Sequence, residues 1–176
     1  VKKNGKIALK QKTCKNCKAL FTPARSFQKA CSYKCAIELS NALSWKLERI
    51  AMKEKLKTLG QYKNDARVYF QKWIRKRDDK LPCISCGKFA NRYDAGHYFK
   101  AELYSGLIFD EDNCHKQCVR CNKELHGNES NYRIGLVKKI GLIRVEWLEN
   151  NKDRLRIYKY TKEELINIKN EYKNRL

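Results

Sequence analysis

Between residues 83 and 122 the chain runs Cys83-Ile84-Ser85-Cys86, then Asp94-Ala95-Gly96-His97, then Asn113, then Cys118-Val119-Arg120-Cys121-Asn122. Each Cys-x2-Cys pair forms a two-thiolate knuckle, and two knuckles about thirty residues apart can close on a single tetrahedral zinc. The loop between them therefore has both ends tied to one metal. Within it and just beyond lie a histidine, an aspartate and two asparagines, the side chains used by a hydrolytic magnesium site.

Phosphodiester hydrolysis needs an activated water, an electrophile on a non-bridging oxygen and relief of charge on the leaving oxygen. One imidazole and one divalent cation can supply all three. His97 is the expected general base, and Asn113 the residue expected to orient its imidazole. Asp94 and Asn122 offer oxygen donors hard enough for Mg²⁺, with Mn²⁺ as the alternative. His126 follows Asn122 by four residues, so on a helix it would share that face and either complete the metal site or touch phosphate. Lys100, Lys116, Arg120 and Lys123 are expected phosphate contacts, read otherwise as ordinary solvated charges. His115 could donate to phosphate or take a supporting or surface role. Tyr93, Tyr98 and Phe99 read as core rather than base-stacking platforms, and Cys114 as a small buried hydrophobe.

Composition bounds the partners. The 176 residues carry 40 Lys and Arg against 19 Asp and Glu, a net charge of +21. Self-repulsion on this scale is most simply relieved by a polyanion, and nucleic acid is the commonest. No apolar run approaches the length of a membrane span, and no signal-peptide core stands at the N-terminus, so a cytoplasmic protein is expected. The 9 cysteines divide into two knuckled sets of four plus Cys114. That is metal arithmetic rather than a disulfide framework, and it predicts two structural zincs. Residue 1 is Val1, so further residues are expected before it.

Along the chain four segments are predicted. Residues 1–36 form a zinc module with ligands Cys14, Cys17, Cys31 and Cys35, serving either as a structural knob or as a DNA-docking element; no acidic residue occurs before Glu38. Residues 37–80 are helical, with Leu39, Leu43, Leu47 and Ile50 on one stripe and the basic Lys46, Arg49, Lys53 and Lys57 on another, all four expected to contact DNA. Gly60 is expected to interrupt this helix before Tyr62, Ala66, Phe70 and Ile74 resume the period. The apolar stripe either packs on the rest of the chain or pairs with a second copy. Residues 81–128 hold the site, with zinc ligands Cys83, Cys86, Cys118 and Cys121, a β-hairpin predicted over 89–99 and a helix starting near Gln117. Residues 129–176 are C-terminal helices, one ended by Gly141 and one begun by the capping-box pair Thr161 and Glu164.

The constellation resembles the HNH, or ββα-metal, endonucleases. In zinc-bearing members the middle asparagine precedes the second knuckle as Asn113 precedes Cys118, and the final residue follows the knuckle directly, as Asn122 does. Most members place an acid immediately before the histidine, where this chain has Gly96. The arrangement Asp94-x2-His97 is similar to the pattern in phage endonuclease VII, a junction resolvase, and a bulge at Gly96 is expected to bring both side chains to one face. Over nearly its whole length the chain resembles the NinG (Rap) recombination family of lambdoid phages. The N-terminal knuckles carry that likeness, with Asp94-Ala95-Gly96-His97-Tyr98-Phe99, Asn113-x-His115-x-Gln117-Cys118-x2-Cys121-Asn122 and His126-Gly127-Asn128.

That resemblance implies structure-specific cleavage of branched DNA, including Holliday junctions and D-loops, in the bacterial host cytosol. A homodimer is expected, since symmetric resolution needs two cuts. The predicted fold is α+β and mainly helical, a ββα-metal core preceded by a zinc module and long helices. Two rival readings are a non-catalytic zinc-finger protein that binds junctions and a generic HNH nuclease for linear duplexes.

Overall fold

The computed structural model describes residues 9–176, so the first eight residues of the expected N-terminal module lie outside the described part. The chain divides between Lys57 and Thr58 into two units, a division that falls inside the helical segment predicted for residues 37–80.

Among its described residues the first unit has almost no apolar core. Two-residue strands β1 (Lys12–Thr13) and β2 (Leu20–Phe21) pair antiparallel, and the buried cluster is Cys14, Ala30 and Cys35, with Phe21 and Cys31 against it. Helix α1 (Tyr33–Lys55) starts at Ser32, whose hydroxyl accepts from the Cys35 backbone N–H, and it buries only Cys35. Leu43, Leu47 and Ile50 are each more than half exposed. Such a unit cannot bury enough surface to offset chain entropy and depends on its four thiols.

In the second unit, α2 (Leu59–Arg77) buries Tyr62, Ala66, Phe70 and Ile74, one residue per turn. The break before α2 is set by a capping box, Thr58 with Gln61, rather than by Gly60, which sits harmlessly in the first turn. Helix α5 (Lys162–Asn174) begins at a second capping box, Thr161 with Glu164. It packs along α2 through Leu165 and Tyr172, where Phe70 and Tyr172 meet edge to face.

A two-stranded antiparallel sheet, β3 (Tyr93–His97) and β4 (Cys114–Cys118), lies against α2 through Ala95 and Cys114. The predicted hairpin over 89–99 is corrected here. That segment contributes one strand, and its partner is residues 114–118, where a helix start had been expected. Cys114, His115 and Gln117 are fully buried, and a strand between two packed faces hides side chains on both sides. The helix carrying the second knuckle is a short π-helix, Arg120–Glu124.

On the other side, α3 (Glu129–Ile140) and α4 (Leu142–Asn151) close a core of Tyr98, Phe99, Leu107, Tyr132, Leu136, Val145 and Leu148. Gly141 alone joins these helices with φ of +83°, a backbone conformation glycine adopts freely. The structure is thus a mixed helix–sheet fold with two four-cysteine clusters. Among the described residues no helix is long and apolar enough to cross a membrane.

Candidate functional site

The thiols of Cys14, Cys17, Cys31 and Cys35 form one cluster and those of Cys83, Cys86, Cys118 and Cys121 another, the sulfurs of each within 4.8 Å of one another. All-sulfur sets at knuckle spacing suit tetrahedral zinc. Polar groups already point at the sulfurs: Cys118 N–H donates to Cys83 Sγ (3.3 Å), Asn128 Nδ2 to Cys121 Sγ (3.4 Å), and Cys31 N–H to Cys14 Sγ (3.3 Å). Such donors stabilise thiolate charge and orient metal ligands. Both clusters can therefore hold a structural zinc, and the second clamps the end of β4 to the turn before β3.

Beside that second cluster is a cleft of about 450 Å³. Asp94, His97, Asn122 and His126, all singled out from the sequence, border it together with Lys100 and Lys123. Asn122 Nδ2 donates to an Asp94 carboxylate oxygen (3.0 Å), and Lys123 Nζ lies 3.6 Å from the same oxygen. The expected bulge at Gly96 is absent. Pairing runs unbroken from Tyr93 opposite Cys118 to His97 opposite Cys114, so Asp94 and His97 leave opposite faces of β3. Both nevertheless border the same cleft.

His97 is half-buried, and its Nε2 lies 2.9 Å from the Ile108 carbonyl oxygen. A carbonyl only accepts, so Nε2 carries the proton and Nδ1 keeps its lone pair. Burial lowers the imidazole pKa below its ordinary 6.5, Arg67 nearby adds to this, and the Ile108 carbonyl opposes it without reversing it. The ring is therefore neutral at neutral pH, as a general base must be.

Asn113 does not touch this imidazole, contrary to expectation. It is fully buried, accepts from the Phe99 backbone N–H (2.8 Å), and donates to the carbonyls of Phe99 (3.1 Å) and Leu107 (3.0 Å). It thus fastens both ends of the loop between the strands, and that loop supplies the Ile108 carbonyl that holds His97. His126 also departs from expectation. It lies past the π-helix in a left-handed conformation (φ +49°), yet the turn it forms with Gly127 and Asn128 leaves it exposed on the cleft.

Lys116, expected at phosphate, and His115, for which phosphate was one option beside a supporting or surface role, are both interior. His115 is 1 % exposed, and its Nδ1 accepts from Arg77 (2.7 Å) and Lys139 (2.9 Å) while Nε2 faces the Asp112 carbonyl (3.0 Å). Arginine cannot accept, so this imidazole is neutral with its proton on Nε2. Lys116 is 4 % exposed, its Nζ donating to the Asp79 carbonyl (2.7 Å) and lying 4.2 Å over the Tyr93 ring. Both surround Asp78, buried yet ionised. Burial would raise its pKa, but hydrogen bonds from Arg77, Lys139 and the Lys116 backbone hold it well below the usual carboxylate range. Cys114 is in the core as expected, its thiol pushed well up by burial and so unreactive.

Arg120 stands exposed, as do Lys46, Arg49 and Lys53 on α1, whereas Lys57 is ion-paired with Glu54 (2.9 Å). Arg67, Gln71 and Arg75, which form the far wall of the cleft, were not anticipated. Their signal was present: each follows a buried residue of α2 by one position, so a polar stripe runs beside the apolar one. Gln117 was missed as well. It is fully buried, and its amide donates to Ser85 Oγ (2.7 Å) in one knuckle and to the Gly127 carbonyl (2.6 Å) beyond the other. Its Oε1 has no hydrogen-bond partner and fills the space where a Cβ on residue 96 would sit.

Residues 6–176 match the family profile described as Bacteriophage Lambda NinG protein. The ninG proteins of Salmonella phage P22 and Escherichia phage lambda are each 35% identical to this chain, the alignments covering 94% of it and 92% of the relative. That of Enterobacteria phage H19B is 36% identical over 90% of this chain and 89% of its own. No solved structure is similar at a significant level.

Proposed function

The chain belongs to the Bacteriophage Lambda NinG family, and from the site it carries we propose a structure-specific DNA endonuclease of phage recombination. In this reading it cuts branched intermediates by metal-assisted hydrolysis, with His97 as general base. The observation that carries the reading is the state of His97: neutral, its Nε2–H committed to the Ile108 carbonyl, its ring bordering a cleft shared with Asp94 and Asn122. A zinc-binding scaffold requires none of this. The strand, loop, strand and short helix of residues 93–124 supply the element order of a ββα-metal core, which supports the same reading.

Asp94 and Asn122 suit Mg²⁺ or Mn²⁺ by donor chemistry, since their contact occupies one carboxylate oxygen and one amide N–H and leaves Asp94 Oδ1 and Asn122 Oδ1 for a cation. His126 could join them. A bound divalent ion would polarise the scissile phosphate and stabilise charge on the leaving oxygen. His97 Nδ1 takes the proton of the attacking water, while Ile108 stabilises the imidazolium so formed. Lys100, Lys123, Arg67 and Arg75 flank the cleft and can hold the neighbouring phosphates, against the acidic Glu102 and Glu129 on the same rim.

The test is cleavage of a four-way junction, and of the same arms as linear duplexes, by zinc-loaded protein with Mg²⁺, Mn²⁺ or EDTA. Metal-dependent cutting that favours the junction is expected. Equal cutting of both would indicate a generic duplex nuclease, and binding with no cutting a non-catalytic junction-binding protein. Binding itself should weaken steeply with salt. Arg67→Ala with Arg75→Ala should flatten the slope of log K against log salt by about 0.9 for each duplex phosphate that is no longer neutralised. An unchanged slope would remove α2 from the interface. We further propose that two copies pair through the exposed Leu43, Leu47 and Ile50 stripe of α1, giving the two cuts that resolution needs.

A further inference from the structure

The first knuckle of the second cluster leads into residues 87–92, where Phe89 stands 73 % exposed. This segment is firmly braced. Gly87 N–H donates to the Cys83 carbonyl (2.9 Å), Cys83 N–H to the Lys88 carbonyl (3.0 Å), and Ala90 N–H to the Tyr93 hydroxyl (2.6 Å). The Tyr93 ring is in turn pinned beneath Lys116. A phenyl ring held in water on such a turn forgoes the burial that drives apolar side chains inward.

Beside it lies a groove of about 420 Å³ that no carboxylate lines. Its cations are Lys88, Arg92 and Arg120, and its large apolar members are Phe89 and Leu125, the latter 46% exposed. The π-helix Arg120–Glu124 lies between groove and cleft, giving Arg120 to the one and Asn122 and Lys123 to the other.

We propose that this groove takes a nucleic-acid strand at the point where it leaves the cleft. Phe89 stacks on an unpaired base, and Lys88, Arg92 and Arg120 hold the adjoining phosphates. An exposed aromatic ring among cations, in a groove that no acid lines, is the chemistry of a single-strand stacking platform: every base offers a π-face, and the backbone offers the charge. A base within a continuous duplex offers no free face, whereas a branch point or flap does. The groove therefore contributes selectivity for branched substrates. This inference rests on the nucleic-acid reading of the cleft.

The experiment uses zinc-loaded full chain and fluorescence anisotropy on three labelled DNAs: a linear duplex, the same duplex with a single-stranded flap, and a four-way junction. Phe89→Ala should weaken flap and junction binding by about ten-fold and leave the duplex unchanged, while Phe89→Trp should retain wild-type affinities. The exposed position makes loss of fold unexpected, and unaltered zinc content and circular dichroism verify this. 2-Aminopurine in the flap should be quenched by wild type and Phe89→Trp but not by Phe89→Ala. Equal losses on all three DNAs, or none, would overturn the groove while leaving the cleft's reading intact. Failure of wild type to bind any of the DNAs would overturn both.

Discussion

On the proposed function, replacing His97 by alanine should lower junction cleavage by about 10²- to 10⁴-fold, the range expected for loss of a general base, and should leave junction binding and zinc content unchanged. The variant should stay folded. It removes one half-buried ring and leaves the Ile108 carbonyl without its donor, a cost of about 1 kcal/mol against a domain stability of roughly 5–15 kcal/mol. The pH profile sharpens the assignment. Burial lowers the imidazole pKa below 6.5, so the ring is neutral and able to accept a proton at pH 7. Protonation sets in only as pH falls through that lowered value, and the acid limb of cleavage should therefore lie below pH 6.5. Residual cutting by His97→Ala with the same acid limb would assign the base elsewhere.

Removing the second zinc should unfold the second unit. Structural zinc contributes about 10–16 kcal/mol to folding in isolated modules, as much as or more than an ordinary domain's whole stability. The four thiols of Cys83, Cys86, Cys118 and Cys121 also lock β4 to the knuckle that precedes β3. Cys118→Ser, or dialysis against a strong chelator, is expected to abolish the cooperative thermal transition of residues 58–176 and to release one equivalent of zinc for each cluster disrupted. Cys14→Ser should instead remove only the first cluster and leave that transition in place. Retention of a sharp transition by Cys118→Ser would mean that the apolar clusters around Phe70 and Tyr132 suffice alone.

Local chemistry made much of this chain readable. Knuckle spacing is a covalent constraint, and both four-cysteine clusters assemble as it implies. A capping box marked the start of α5, Gly141 the end of α3, and an apolar residue at every turn the inner face of α2. What escaped depends on tertiary pairing. The sequence 114–118, Cys-His-Lys-Gln-Cys, lacks the alternation of a half-exposed strand because both its faces are covered, and its partner is distant in sequence. His115 and Lys116 read as surface charges for the same reason, since nothing local announces that Asp78 and Arg77 await them. The residues around His97 were found by their types, but their connections were not. Asn113 acts on the histidine through a loop, and the wall of Arg67 and Arg75 comes from a helix that sequence alone did not place at the cleft.

Gly96 and Gln117 face each other so closely that neither position is free to vary alone. Any side chain at 96, including the acid most HNH proteins place before their histidine, would collide with the glutamine that ties Ser85 to Gly127. Shortening residue 117 would open that space but untie the two turns of the metal-binding frame. The two sites thus form an epistatic pair. An acid at 96 would therefore require a smaller residue at 117, and with it the loss of the tie between Ser85 and Gly127.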